Sequence, residues 1–159
     1  MPHCYALNCD VETAFSKLSD PEFLDARNVA IGELESHSTV ERQAEQTTIR
    51  MTRRFIRRGI PRALRKVFNP EQTVEFVEQW RRDGDSMVGR YRSDILGIPV
   101  TLRADIRLRP VEGGAEYQID LQPEARVPLV GAMIEKYILG QSRDGIGAEI
   151  EYLNASLPQ

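Results

Sequence analysis

The feature that most constrains this chain is a change of hydrophobic period at Glu33. Before it, apolar residues recur at helical spacing. From Glu33 to Gln122 they recur at every second residue, and after Pro128 the helical spacing returns. A chain patterned this way must build one run of antiparallel strands with an apolar and a polar face. It must then cover the apolar face with the only long helix available.

The segments follow from that pattern. His3 to Asn8 alternates weakly and predicts a short strand. Asp10 precedes Val11, Ala14, Phe15 and Leu18, which is the spacing of an amphipathic helix with an acidic N-cap. Asp20-Pro21 opens a second helix, with Phe23, Leu24, Arg27 and Ile31 on its stripe and Gly32 at its end. The strands then carry, on one face each, Leu34, Ser36, Ser38 and Val40; Ile49, Met51, Arg53 and Phe55; Val74, Phe76, Glu78 and Trp80; Met87, Gly89 and Tyr91. Val100 to Leu108 and Ala115 to Leu121 complete the set. Arg82-Asp83-Gly84-Asp85 and Val111-Glu112-Gly113-Gly114 read as hairpin turns. Gly59 to Phe68 predicts one or two helical turns, and Asp94 to Pro99 a loop or bulge. Pro123 is expected to end the strands and Pro128 to open the last helix, running on to Leu157.

That helix has a divided stripe. Val130, Met133, Ile134 and Tyr137 share one face. Leu139, Ile146, Ile150 and Leu153 fall about 150–180° away at ~100° per residue. The change brackets Gly140, Gly145 and Gly147, so the expectation is a bend or local irregularity there.

The predicted fold class is therefore α+β: a helix-grip arrangement of about six to seven antiparallel strands curved around a long C-terminal helix, with two short helices after the first strand. The 159 residues, with no internal repeat or linker, suit one domain spanning 1–159. A chain of this length buries roughly two-thirds of its unfolded surface, so it needs no disulfide or metal staple. Cys4 and Cys9 on one extended strand would lie about 16 Å apart at ~3.3 Å per residue, and a disulfide needs less than about 7 Å. Both are expected as buried free thiols of a reducing, cytoplasmic setting. No basic-then-apolar leader and no apolar run long enough to span a membrane is visible.

The residues Val11-x-x-Ala14-Phe15-x-x-Leu18-x-Asp20-Pro21-x-Phe23, Pro61-x-Ala63-Leu64-Arg65-Lys66 and Pro128-Leu129-Val130-Gly131-x-x-x-Glu135-Lys136 are spread over the whole chain. In this order they resemble the START/Bet v 1-like superfamily, also called polyketide cyclase/dehydrase-like. Within it they are most similar to a branch of uncharacterised bacterial domains, mainly actinobacterial and proteobacterial. The resemblance implies a cavity between sheet and helix, in a superfamily of lipid and sterol carriers, hormone receptors, cyclases and dehydratases. It brings no catalytic residues to carry over.

Motifs for other chemistry are missing. His3, Cys4, Cys9 and His37 do not have zinc spacing, so no metal site is expected, and His37 lies in the polar phase of its strand. Neither a nucleophile elbow nor a phosphate loop is present, and no cofactor is implied.

Two charges sit in apolar phase. Arg53 lies between Met51 and Phe55, and Glu78 between Phe76 and Trp80. With Met51 opposite Trp80, Arg53 falls opposite Glu78 and Phe55 opposite Phe76. A buried charge needs a partner, so the two are expected to pair and to orient a ligand carboxylate or hydroxyl. The expected cavity lining is Met51, Arg53, Phe55, Phe76, Glu78, Trp80, Tyr91, Leu102, Ile106, Tyr117, Ile119, Val130, Ile134 and Tyr137.

The net charge is only −3, but its distribution is uneven: eight of 21 basic residues lie between Arg50 and Lys66, and no acid occurs from Gln46 to Pro70. Arg50, Arg54, Arg57, Arg58, Arg62 and Arg65 either form a solvated face balanced by Glu71, Glu75 and Glu78, or dock an anionic membrane surface or acyl carrier. Poor aromatic interleaving argues against nucleic acid. The functional expectation is a non-catalytic binder or transporter of a lipid-like, sterol-like or polyketide-like molecule. The alternatives are a cyclase or dehydratase in the same cavity, and an interaction module with a filled core.

Overall fold

The computed structural model describes residues 2–158. The elements run β1 (His3–Leu7), α1 (Val11–Leu18), α2 (Pro21–Ala30), β2 (Glu35–Gln43), β3 (Gln46–Ile56), a 3₁₀ turn (Arg62–Leu64), β4 (Glu71–Asp83), β5 (Ser86–Ile95), β6 (Val100–Val111), β7 (Gly114–Ala125) and α3 (Gly131–Ala155). All seven strands form one antiparallel sheet in the order β1-β7-β6-β5-β4-β3-β2. Strands β2 to β7 are a meander of consecutive neighbours, and β1 adds to the free side of β7. Helices α1 and α2 carry the chain from that edge to the opposite one.

The local signals explain most boundaries. Asp10 Oδ1 accepts from the Thr13 amide at 2.8 Å, and Asp20 Oδ1 accepts from the Glu22 amide at 3.1 Å, so both short helices start on an acidic cap. The tight turns after β4 and β6 need a positive φ, which Gly84 (63°) and Gly113 (84°) supply. The inward alternation of β6, from Val100 through Leu102, Ala104 and Ile106 to Leu108, is buried throughout and forms the centre of the core with Ile119, Ile134 and Leu153.

Four expectations are corrected. First, the β3–β4 register pairs Met51 with Phe76, Arg53 with Val74 and Ile49 with Glu78. Arg53 and Glu78 share the inner face but are not opposite each other. The long connection from Arg57 to Pro70 imposes no turn geometry that could fix the register from sequence. Second, Pro123 lies inside β7, paired with Leu102. It is tolerated because β1 pairs β7 only at Ala115–Ile119, which leaves the Pro123 position on a free edge.

Third, α3 begins at Gly131 and ends at Ala155, about 37 Å long at 1.5 Å per residue. Residues 128–130 form a turn before it. The helix is continuous through all three glycines, and its buried residues Ile134, Ile138, Ile146, Ile150 and Leu153 drift around it by about 160° at ~100° per residue. Thus the divided stripe records the sheet wrapping around the helix. Fourth, both cysteines are free, but Cys4 is exposed and Cys9 only partly buried.

Candidate ligand cavity

The cavity arises where the inner faces run short of bulk. On α3, the turns between Ile138 and Ile146 present Gln141, Ser142 and Gly145 to the sheet, and Glu149 follows one turn on. A Cβ placed on Gly145 would meet nothing within 4 Å. On the sheet, Ser93 and Ala104 take inward positions between larger residues. The result is a cavity of about 560 Å³. Its apolar wall comes from Met51, Phe55, Val74, Phe76, Ile95, Val100, Leu102, Ile119, Ile138 and Ile146. Gly32, Ile56, Arg58 and Asp144 line it and are exposed, so they mark its opening. A larger open trough, about 1370 Å³, lies elsewhere and is lined mainly by polar and charged residues of the strands and the β2–β3 turn.

A charged cluster joins β3, the connection before β2, and helices α2 and α3 at one part of the cavity wall. Arg53 Nε lies 2.8 and 3.0 Å from the two Glu33 oxygens, and Arg53 Nη2 is 2.6 Å from Glu33 Oε2 and 3.0 Å from Glu149 Oε2. Arg27, from α2, reaches Glu149 Oε1 at 3.4 Å and donates from Nε to Asn28 Oδ1 at 3.0 Å. Burial disfavours the Glu149 charge, but Arg27 and Arg53 together outweigh it and hold this carboxyl below its ordinary range. Burial likewise opposes the Arg53 charge, and Glu149 and Glu33 more than compensate. The Arg53 guanidinium also lies over the Phe76 ring at 5.0 Å.

Two cations thus meet two carboxylates, and Glu78 is the carboxyl left over. It has no ion pair among the described residues. Its Oε2 accepts from Trp80 Nε1 at 3.2 Å. Burial is the largest influence on it and raises its pKa above the ordinary carboxyl value, against the opposing pull of Trp80 and Arg27. Tyr91 and Tyr117 also line the cavity, and burial raises both phenols well above their ordinary value. Glu78 Oε1, Tyr91 Oη, Tyr117 Oη and Ser93 Oγ have no hydrogen-bond partner among the described residues. The cavity wall therefore carries polar groups that no described side chain or backbone group uses.

Nine of the expected lining residues do line the cavity: Met51, Arg53, Phe55, Phe76, Glu78, Tyr91, Leu102, Tyr117 and Ile119. The others do not. Trp80 is 1% exposed, with its ring edge-on to Phe15 at 5.7 Å. Ile106 and Ile134 belong to the solid core. Val130 and Tyr137 pack at the start of α3, where the Tyr137 ring lies 5.4 Å from Phe68 and its hydroxyl donates to the Arg58 carbonyl at 3.0 Å. Sequence reasoning missed Arg27, Glu33 and Glu149 as members of the cluster. Arg27 and Glu149 were detectable as charges in the apolar phase of their helices. Glu33, in the connection before β2, carries no such signal.

The basic stretch divides by environment. Arg54 is neutralised by Glu35 at 3.0 Å and by Glu71. Arg57 is buried between the Phe55 and Phe68 rings, 5.1 and 5.0 Å from their centroids, and burial lowers its pKa. Arg58, Arg62 and Arg65 are exposed and have no side-chain partner among the described residues. Arg50 is exposed on the outer face of β3, while Glu78 lies inside and balances none of them.

The chain belongs to a family described as protein of unknown function (DUF2505), whose family model matches residues 3–157. No curated protein matches it. Among solved structures it is similar to a protein of Thermus thermophilus, with a TM-score of 0.62 at 14% identity over 98% of this chain and 94% of that one. An uncharacterised protein of Rhizobium leguminosarum gives 0.60 at 10% identity, with the same coverage of 98% and 94%. A Mycobacterium smegmatis protein gives 0.52 at 12%, covering 97% and 87%. At these identities the likeness shows the fold alone.

Proposed function

We propose that this member of the family binds and carries a hydrophobic small molecule bearing a neutral oxygen group, a hydroxyl or carbonyl, and does so without chemistry. The observation that carries the reading is the cavity itself: about 560 Å³ between sheet and helix, apolar along most of its wall. That volume falls within the roughly 300–1,000 Å³ of ordinary ligand sites. The helix-grip arrangement also supports the START/Bet v 1-like reading of the sequence, in which such a cavity is where ligands lie.

The polar groups favour a neutral ligand over a carboxylate. Arg53 is committed to Glu33 and Glu149, so it has no free fork for a ligand anion. Glu78, Tyr91, Tyr117 and Ser93 remain; a ligand hydroxyl could both accept from and donate to them, and a ligand carbonyl could accept from them. One observation favours the cyclase or dehydratase alternative: a buried carboxyl with a raised pKa is a group able to deliver a proton. A filled core is the reading the cavity supports least.

The test is titration with N-phenyl-1-naphthylamine, a neutral apolar fluorophore, followed by competition with long-chain alcohols and fatty acids. The reading expects saturable one-site enhancement, displaced by the alcohol in preference to the acid. Absence of saturable uptake contradicts it.

A further inference from the structure

The exposed apolar residues are concentrated at one end of the molecule. Val29, Leu34, Ile56, Leu96, Leu129 and Met133 are all there, and among the described residues only Val111 lies at the other end. The backbone ties these segments together. The Leu34 amide bonds the Arg54 carbonyl, the Leu96 amide the Thr73 carbonyl, and the Arg126 amide the Pro99 carbonyl. The Tyr137 hydroxyl links the start of α3 to Arg58. Exposed Gly32, Ile56 and Arg58 place the opening of the cavity at this same end.

Leu129 is the most prominent of the group. It is fully exposed, at 105%, and it is the one non-glycine residue with a positive φ (70°) among the described residues. A leucine in the left-handed region is costly, and here the turn that adopts it gains no burial for the side chain.

The charges at this end are sorted. Most of its acids are tied down, Glu35 and Glu71 by Arg54, Asp94 by Arg92, and Glu124 by Arg103 and Arg126, whereas Asp144 at the cavity opening has no ion pair among the described residues. Arg58, Arg62, Arg65 and Lys66 are exposed and unpaired among the described residues. The opposite end carries Glu45, Asp85 and Glu112 at its three hairpin turns.

We propose that this end docks on an anionic lipid surface, with Leu129 and Leu96 entering the headgroup layer and the 58–66 segment lying against the phosphates. Isolated apolar tips on separate turns, bordered by free cations, suit a fluid interface. A folded partner's interface has a close-packed core inside a polar rim, and scattered tips on separate turns offer no such core. Docking in this orientation turns the cavity opening toward the membrane. The inference goes beyond the cavity reading and stands on different residues.

The experiment is co-sedimentation of the full chain with vesicles of phosphatidylcholine alone and of phosphatidylcholine mixed with phosphatidylglycerol, at low and high salt. Binding is expected only to the anionic vesicles and to fall with salt. The double variant Arg62→Glu/Arg65→Glu should bind more than tenfold more weakly, given about fivefold for each basic residue near the surface. Leu129→Ser should weaken binding severalfold, and Val111→Ser should leave it unchanged. Circular dichroism checks that each variant is folded. No retention on anionic vesicles overturns the proposal, as does equal retention of the charge-reversed variant. Capture by an acidic acyl carrier protein with no vesicle binding overturns it too. Fluorophore uptake without vesicles reports separately on the cavity, so the two readings can fail independently.

Discussion

Glu78 and Tyr91 stand directly opposite each other on β4 and β5, and both side chains line the cavity. Cross-strand partners bring their Cβ atoms to about 5 Å, so a carboxyl and a phenol start from neighbouring positions in a largely apolar wall. The nearby cations are engaged by Glu33 and Glu149. Burial therefore disfavours the charged form of Glu78, and that has a measurable consequence.

A carboxyl whose folded pKa is raised stabilises the fold fully below its unfolded pKa of about 4.3, and that contribution is lost as pH rises through the folded value. Glu78→Gln keeps a neutral amide at the site. Urea unfolding at pH 5 and pH 8 should show the variant gaining stability relative to the wild type at the higher pH. An equal difference at both values would mean that Glu78 is charged throughout.

Trp80 is the only tryptophan, is buried, and donates to Glu78. Its emission should be blue-shifted and should change with pH as Glu78 ionises. In Glu78→Gln the pH-dependent part should vanish while the blue shift remains.

Arg53 holds Glu33 and Glu149 together. Arg53→Met leaves Glu33 buried with no direct partner and Glu149 with only Arg27, so the cost should be about 3–5 kcal/mol in denaturant unfolding. Arg53→Lys should recover only part of this, because an ammonium cannot reproduce the two-pronged contact with Glu33.

Two glycines should respond in opposite directions. A Cβ on Gly89 would lie 2.8 Å from the Gln79 carbonyl oxygen and 2.9 Å from Trp80 Cδ2. Gly89→Ala should therefore destabilise by about 1–3 kcal/mol. Gly145 is helical and its Cβ position is open, so Gly145→Ala should stabilise by about 0.5–1 kcal/mol. Thermal melts of the two variants measure both.

The sequence made the architecture legible because period, caps and turn glycines all agree: the change at Glu33, Asp10 and Asp20, Gly84 and Gly113. Inward phase was legible as well, which is why Arg53 and Glu78 stood out. Pairing was not. The 57–70 connection leaves β3 and β4 free to slide by any even number of residues without changing face, so Arg53 could not be matched to a partner. Its real partners come from a loop and from α3, and long-range contacts of that kind leave no local trace at Glu33. The divided stripe of α3 was visible, but only the curved sheet explains why the helix need not break. Arg57 looked like one more surface cation. Its burial depends on Phe55 and Phe68 closing on it from two segments.

The central claim is that the space beside Gly145 holds an apolar molecule. Native mass spectrometry of protein purified without detergent, with Gly145→Phe alongside the wild type, tests it most directly. The account predicts a retained apolar ligand on the wild type and its loss from the folded variant, whose added ring fills the cavity. Wild-type protein that is empty as isolated and stays empty after incubation with a long-chain alcohol would contradict it.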